Sequence, residues 1–327
     1  MFNKALTLLI LLCISFSNAY SQQIPNWSSY YENGFMWNPA LTAKWSNLEV
    51  SVTHRNDWTG FDDAPQTSSI GVQVPFLRRV TRVSMGGFLE RDGVGPFSKT
   101  SLTYTYSYRI APKLFGNRLD QLRLGIGAQV NQFRYDPDNL TPFDGFESDP
   151  TLLQETQSGM GGNITVGAFY LSVDDFNDYK THYYFGASFN QLLPSKLGTS
   201  FLGDIVASPH ATLHAGYRYL RSRRSRSYTE PNVMVIYAFD KSINVMANLR
   251  YEQQEAYWIS GGIVSNGEFF GQMGIMFNED SFLENLINGG LLKLGVKADY
   301  SIGKLRPYAG VGYEVYMAYL FDMDKKF

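Results

Sequence analysis

Ser101-Leu102-Thr103-Tyr104-Thr105-Tyr106-Ser107-Tyr108-Arg109-Ile110 is the stretch that decides the fold. Leu102, Tyr104, Tyr106, Tyr108 and Ile110 alternate with Thr, Ser and Arg. A period of two is that of a β-strand, whose successive side chains point to opposite faces. The pattern returns downstream. Ile243, Val245, Ala247 and Leu249 alternate with Asn244, Met246, Asn248 and Arg250, and Ala309, Val311, Tyr313 and Val315 alternate with Tyr308, Gly310, Gly312 and Glu314. These runs approach the ~9–11 residues that a tilted membrane strand needs. Strands of soluble proteins mostly stop near 5–6.

Reading outward from these runs gives strands at 48–56, 66–75, 81–91, 98–109, 119–133, 158–171, 181–190, 207–220, 228–239, 242–252, 255–265, 267–278, 290–302 and 306–318. Fourteen is an even number, as a bacterial single-chain barrel requires; twelve and sixteen are the neighbouring solutions. The fold class expected is all-β, an antiparallel transmembrane β-barrel of about fourteen strands. Residues 48–327 form it, and residues 22–47 precede it as a segment in the lumen or the periplasm. With both termini periplasmic, the connections 57–65, 134–157 and 191–206 face outward. Those at 76–80, 110–118, 172–180 and 221–227 face the periplasm. Ser281 to Asn288 carries helical spacing and reads as a short periplasmic helix.

Residues 1–21 read as a secretory signal. Lys4 supplies the charge, Ala5 to Phe16 a short apolar core, and Ala19-Tyr20-Ser21 the small residues that place cleavage before Gln22. The single cysteine, Cys13, lies inside this leader, so the mature chain uses no disulfide or thiolate chemistry. Leu12 before it is too large for a lipoprotein signal. The chain has 28 Lys and Arg against 30 Asp and Glu; Lys4 leaves with the leader, so the mature balance is 27 against 30, or −3. Nothing in this balance suggests nucleic acid. With 22 Tyr and 23 Phe and only 18% charged residues, the composition suits apolar outer faces and aromatic girdles. No run of about 18 apolar residues follows the leader, so no transmembrane helix is expected.

Several constellations are candidates for chemistry. Arg55, Asn56, Trp58 and Asp62 are candidates for a partner or ligand site at the barrel mouth. The simpler reading is a structural corner. In it Trp58 and Phe61 anchor at the interface, Gly60 takes a positive φ and Pro65 ends the turn. Arg55 is expected to face inward or sit at the rim, because arginine on the lipid face costs about 2–4 kcal/mol at the midplane. His210 and His214 invite a metal reading, but four residues of strand span about 13 Å, too far for two ligands of one zinc. The acidic loop Asp136, Asp138, Asp144, Glu147 and Asp149 misses the EF-hand pattern, since Thr141 stands where Gly is required. The run Arg221-Ser222-Arg223-Arg224-Ser225-Arg226 is a solvated turn or, as a candidate docking site, an attraction for an acidic periplasmic partner. Gly-x-Ser-x-Gly, His-Glu-x-x-His and Gly-x-x-x-x-Gly-Lys are all missing, and no enzyme activity or cofactor is expected.

Three motifs together carry a family resemblance. They are Asn38-Pro39-Ala40 with Arg55 to Pro65; His210-Ala211-Thr212-Leu213-His214-Ala215-Gly216-Tyr217-Arg218; and Tyr257-Trp258-Ile259-Ser260-Gly261-Gly262. In these the chain resembles the PorP/SprF family, outer-membrane components of the type IX secretion system of gliding and related bacteria. Asp57 departs from the Gln common there, and Gly310 to Phe327 lacks the usual His-Glu pair. The resemblance implies a non-enzymatic outer-membrane barrel that anchors or helps deliver cell-surface proteins. Its expected partners are outer-membrane lipid, other type IX secretion components and secreted surface proteins. A diffusion porin or uptake channel is the alternative, with an open polar lumen, and a barrel enzyme would need a Ser/His/Asp cluster at one rim.

Overall fold

The computed structural model describes residues 30–45, 47–61, 63–76, 82–112, 120–137, 156–173, 180–193, 209–222, 224, 226–239, 242–253, 256–278, 290–302 and 310–321. The leader, residues 22–29, Asp62, Arg223, most of the acidic loop and the segment Ser281 to Asn288 lie outside these residues.

Fourteen antiparallel strands close on themselves. They are β1 (Leu48–Asn56), β2 (Gln66–Pro75), β3 (Val83–Val94), β4 (Phe97–Ile110), β5 (Gln121–Tyr135), β6 (Gln157–Leu171) and β7 (His182–Asn190). The second half comprises β8 (His210–Ser222), β9 (Ser227–Ala238), β10 (Ile243–Gln253), β11 (Tyr257–Val264), β12 (Glu268–Phe277), β13 (Leu291–Ser301) and β14 (Gly312–Phe321). Most boundaries lie within three residues of those read from the sequence. The last strand is the exception: it is described from Gly312 rather than 306 and runs on to Phe321. Closure sets this register, because β14 must lie along all of β1, from Leu48↔Phe321 to Asn56↔Tyr313. β1 therefore begins and β14 ends at one rim, called the terminal rim below; the other is the distal rim.

The alternation follows the physics of the two solvents. Outward positions carry Leu102, Tyr104, Ile126, Leu213, Leu249 and Val315, all exposed on the wall where lipid covers them. Inward positions carry Thr103, Thr105, Ser107, Asn248, Arg250 and Glu314, all buried. Arg55 is among the inward set and only 2% exposed. Leu102 sits near the middle of β4, so Leu102→Arg should lower the unfolding free energy in phospholipid by about 2–4 kcal/mol. The same change at Val311, at the distal rim, should cost about 0–1 kcal/mol. Equilibrium urea titration of lipid-inserted protein reads both.

The corner after β1 differs from its sequence reading. Gly60 does not take the left-handed conformation; Trp58 (φ 52°) and Asp63 (φ 58°) do. The physical reason is the short connection: Asp57 N–H donates to Pro65 carbonyl (2.9 Å) and Phe61 N–H to Trp58 carbonyl (2.9 Å), so the reversal falls at Trp58 itself. Thr59 Oγ1 donates to Val311 carbonyl (2.7 Å), pinning the corner over β14.

Candidate functional site

The principal site is the lumen near the terminal rim, filled by residues 30–45. These fold into a four-residue helix, α1 (Gly34–Trp37), and a 3-10 turn (Pro39–Leu41), with Asn38 between them. Sixteen residues this short cannot hold a helix by local propensity. Contact with the wall holds them instead.

Asn38 shows how. It is fully buried. Its Oδ1 accepts from Ala40 N–H (2.9 Å) and caps the 3-10 turn, and Pro39 follows at the position where a missing N–H costs nothing. Its Nδ2 donates to the carbonyls of Ala168 (3.0 Å) and Ala187 (3.3 Å) on β6 and β7. Asn38-Pro39-Ala40 thus welds a turn to the barrel wall. The wall is shaped to receive it. A Cβ at Gly125 would stand 2.2 Å from Ala40 N, and one at Gly167 would stand 2.1 Å from Asn38 Oδ1. Glycine at 125 lets backbone meet backbone, and glycine at 167 leaves room for the Asn38 carboxamide.

Around this weld, polar wall residues take up the main-chain groups that so short a segment leaves unpaired. Arg123 Nη1 donates to the carbonyls of Thr42 (3.2 Å) and Ala43 (3.1 Å). Ala43 N–H donates to Gln73 Oε1 (2.7 Å), and Ser188 Oγ donates to Trp37 carbonyl (2.7 Å). Ser107 Oγ donates to Ala40 carbonyl (3.3 Å) and Thr42 Oγ1 to Thr105 Oγ1 (2.9 Å). Asn33 Nδ2 donates to Thr53 Oγ1 (2.9 Å).

A second set of contacts is ionic. Glu230 accepts from Arg218 Nε (2.7 Å), Tyr184 Oη (2.7 Å) and Tyr31 Oη (3.1 Å), and Arg218 Nη2 also bonds Tyr31 Oη (2.6 Å). Arg250 bridges Glu32 (2.5 Å) and Glu252 (2.7 Å) while its guanidinium lies over the rings of Tyr31 and Trp258 at 4.5 and 5.0 Å. Tyr30 Oη donates to Asn232, and Lys44 Nζ to Tyr31 carbonyl. Burial pushes the Lys44 ammonium down to about 7, opposed by Glu32, Glu49 and Glu230. Between plug and wall a cavity of about 30 Å³ remains, the space of roughly one water.

The residues singled out from the sequence fall elsewhere. Arg55 lies in the distal half among carboxylates: Asp57 (2.5 Å), Glu314 (3.4 Å), Asp299 (3.5 Å) and Glu268 (3.7 Å), with Lys297 2.9 Å from Asp299. Asn56 is half-buried at the end of β1 and Trp58 is 42% exposed. Arg55 is thus buried in the lumen and Trp58 exposed at the corner, and Asp62 lies outside the described residues. Arg221, Arg224 and Arg226 are exposed at the β8–β9 connection on the terminal rim; Arg223 is outside the described residues. His214 faces inward, its ring stacked 5.6 Å from that of Phe169. Asp136 pairs with Arg134 (2.8 Å). The lock residues Glu32, Arg123, Glu230 and Glu252 went unseen in the sequence reading. The available signal was charge at inward positions of strands, which demands a partner.

Among curated proteins, no sequence matches this chain. Among solved structures, a CymD monoaromatic hydrocarbon channel is similar at 11% identity and a TM-score of 0.53, over 90% of this chain and 93% of that one. A Pseudomonas aeruginosa FadL homologue is similar at 10% identity and a TM-score of 0.48, over 91% of this chain and 95% of that one. At such identity the likeness to the CymD channel shows the fold alone, an outer-membrane barrel. The family profile described as type IX secretion system membrane protein PorP/SprF matches residues 19–319. That span takes in the welding turn, the Arg218 strand and the Trp258 strand, and the chain belongs to the PorP/SprF family of type IX secretion outer-membrane proteins.

Proposed function

We propose that this barrel is a sealed anchor of the type IX secretion machinery, with no enzymatic activity and no solute-conducting role. It holds or hands on secreted surface proteins at the outer membrane. Membership of the family places it among type IX secretion components in the membrane; the anchoring role and the cargo are the proposal. The observation that carries it is the seal. Among the described residues, nine strands (β1, β2 and β4 to β10) bond residues 30–45 through side chain or main chain. A pathway for solutes needs no such lock, whereas a binding platform gains rigidity from it. The test is affinity purification of tagged protein from detergent-solubilised membranes after cross-linking. Co-purification of type IX components and a surface protein is the expected result. Recovery of the barrel alone, with cross-linking efficient on a control complex, overturns the reading.

The docking face belongs, on this proposal, to the arginines of the β8–β9 connection. With termini in the periplasm, the connection that exposes Arg221, Arg224 and Arg226 lies there, and an acidic partner is held by attraction that salt screens within about 10 Å at 0.1 M. Replacing Arg221, Arg223, Arg224 and Arg226 by Gln should weaken association with periplasmic components several-fold and remove its salt dependence. The heat-modifiable gel migration of a folded barrel should persist, because a solvated turn adds little to stability. Labelling of Ser225→Cys on intact cells by a membrane-impermeant reagent would place the run outside and sink this docking idea.

A further inference from the structure

On the outer face of β6 to β9, in the half nearer the terminal rim, the wall is hollow. A space of about 320 Å³ lies there, lined by Ala168, Ala187 and Ala215 and bounded by Tyr170, Phe185 and Leu213. Register brings the short side chains together. Ala168 pairs with Ala187 across β6–β7, Ala187 with Leu213 across β7–β8, and Ala215 with Phe185 one outward row nearer the terminal rim. Phe185 and Leu213 stand exposed to lipid, and the alanines between them are recessed. One side of the hollow is firm. Tyr170 faces outward yet is only 2% exposed, because its ring stacks on Phe185 at 5.0 Å and its hydroxyl donates to Asp120 (3.2 Å). With that hydroxyl spent, the outward side chains that line the space offer only hydrocarbon. The stacked rings of Phe169 and His214 border it from the lumen side.

We propose that the hollow is the acyl-chain half of a site for one resident anionic phospholipid, whose phosphate is held by Arg221 and Lys180. The outward column of β8 is graded as such a lipid is. Leu213 and Ala215 lie at the hollow, exposed Tyr217 and Tyr219 follow, and exposed Arg221 ends the column at the terminal rim. Tyr217 pairs with exposed Tyr183, and tyrosines in such a belt mark the level of the headgroups. Six residues of strand separate Ala215 from Arg221, about 20 Å at ~3.3 Å each, or ~15 Å of depth at a tilt near 40°. That is the depth of one leaflet. The charge above the belt is positive. Leu220 N–H donates to Thr181 Oγ1 (3.2 Å), which sets exposed Lys180 beside the end of β8. Arginine meets a phosphate with two parallel hydrogen bonds, and clustered cations at a membrane surface select anionic lipid. A polar solute finds no partner in the hollow. A second copy docked about a two-fold axis would set these cations against their own kind.

The test is native mass spectrometry of the full mature chain released from nanodiscs of equimolar phosphatidylcholine and phosphatidylglycerol. One phospholipid per barrel should survive removal of the bulk lipid, with phosphatidylglycerol favoured ten-fold or more. Ala187→Leu combined with Ala215→Leu should abolish retention by filling the hollow. Heat-modifiable migration should persist there, because the lipid face accepts larger apolar side chains. Ala128→Leu, at an exposed position of β5 outside the hollow, should retain lipid as the parent does. Lys180→Gln combined with Arg221→Gln should bring the headgroup preference to parity. Phosphatidylglycerol with a diazirine on its acyl chain should mark wild-type residues 185–187 and 213–215, an arm that needs no variant to fold. Arg221 is shared with the proposed docking run, but the alanine variants leave every arginine in place, so loss of lipid and loss of a periplasmic partner are read apart. The proposal is overturned if no lipid is retained, if the parent retains both headgroups alike, or if the filled variant retains lipid as the parent does. A label spread evenly round the wall, or a second barrel retained in place of lipid, overturns it too.

Discussion

Gly125→Leu should turn a silent barrel into a conducting one. In planar bilayers the unmodified protein should give no steady conductance, whereas Gly125→Leu, Gly167→Leu and a chain lacking residues 30–45 should all give long-lived open levels. The expectation comes from geometry. The new Cβ at Gly125 would occupy space 2.2 Å from Ala40 N, where only backbone stands. The strand cannot retreat, because β5 is paired along its whole length to β4 on one side and to β6 on the other. The turn at Pro39–Leu41 is the softer partner, with little helix of its own to defend it. The plug should therefore leave and the wall stay. Heat-modifiable migration of the variants would confirm that the barrel persists. Folded variants that remain silent would show that residues 30–45 are not the seal, and steady conductance from the unmodified chain would favour a diffusion channel.

The wall was legible in the sequence because each strand is judged by two solvents at once. Lipid admits only apolar side chains at Leu102, Tyr104 and Leu249, and the lumen accepts Thr103, Thr105 and Asn248, so the period of two is written plainly. The same logic kept Arg55 off the lipid face without a structure. The plug was legible only as a segment before the barrel, in the lumen or the periplasm; its contacts were not. Residues 30–45 carry neither period, because their partners are wall residues scattered over the chain, from Thr53, 20 residues from Asn33, to Arg250, 218 residues from Glu32. Asn38, Arg123 and the glycines at 125 and 167 acquire meaning only as a set brought together by closure. The corner failed for a smaller reason. Glycine's permissiveness made Gly60 the natural choice for the left-handed residue, yet the hydrogen bond from Asp57 to Pro65 puts the reversal at Trp58.

The ionic half of the lock should prove as demanding as the welded half. Glu230→Ala removes the carboxylate that faces Arg218, Tyr184 and Tyr31, and with it the charged partner 2.7 Å from the buried Arg218 guanidinium. Breaking one side of a buried pair costs about 3–5 kcal/mol. The loss should appear as a lower urea midpoint in lipid. It should appear a second time as flickering conductance, because Tyr31 is a plug residue that loses its anchor with the same change. Arg218→Met combined with Glu230→Leu should recover most of the stability, since apolar groups of similar size dispense with the desolvation both charges suffer. It should not recover the seal. Tyr31 would have lost its hydrogen bonds to Glu230 and Arg218, and on that side the plug would keep only Glu32 on Arg250 and Tyr30 on Asn232. The double variant thus separates two roles the pair could have. Restored stability with restored silence would mean the charges serve the barrel wall only. Restored stability with continued flicker would mean they serve the plug, which is the outcome expected if this lumen was built to be kept shut.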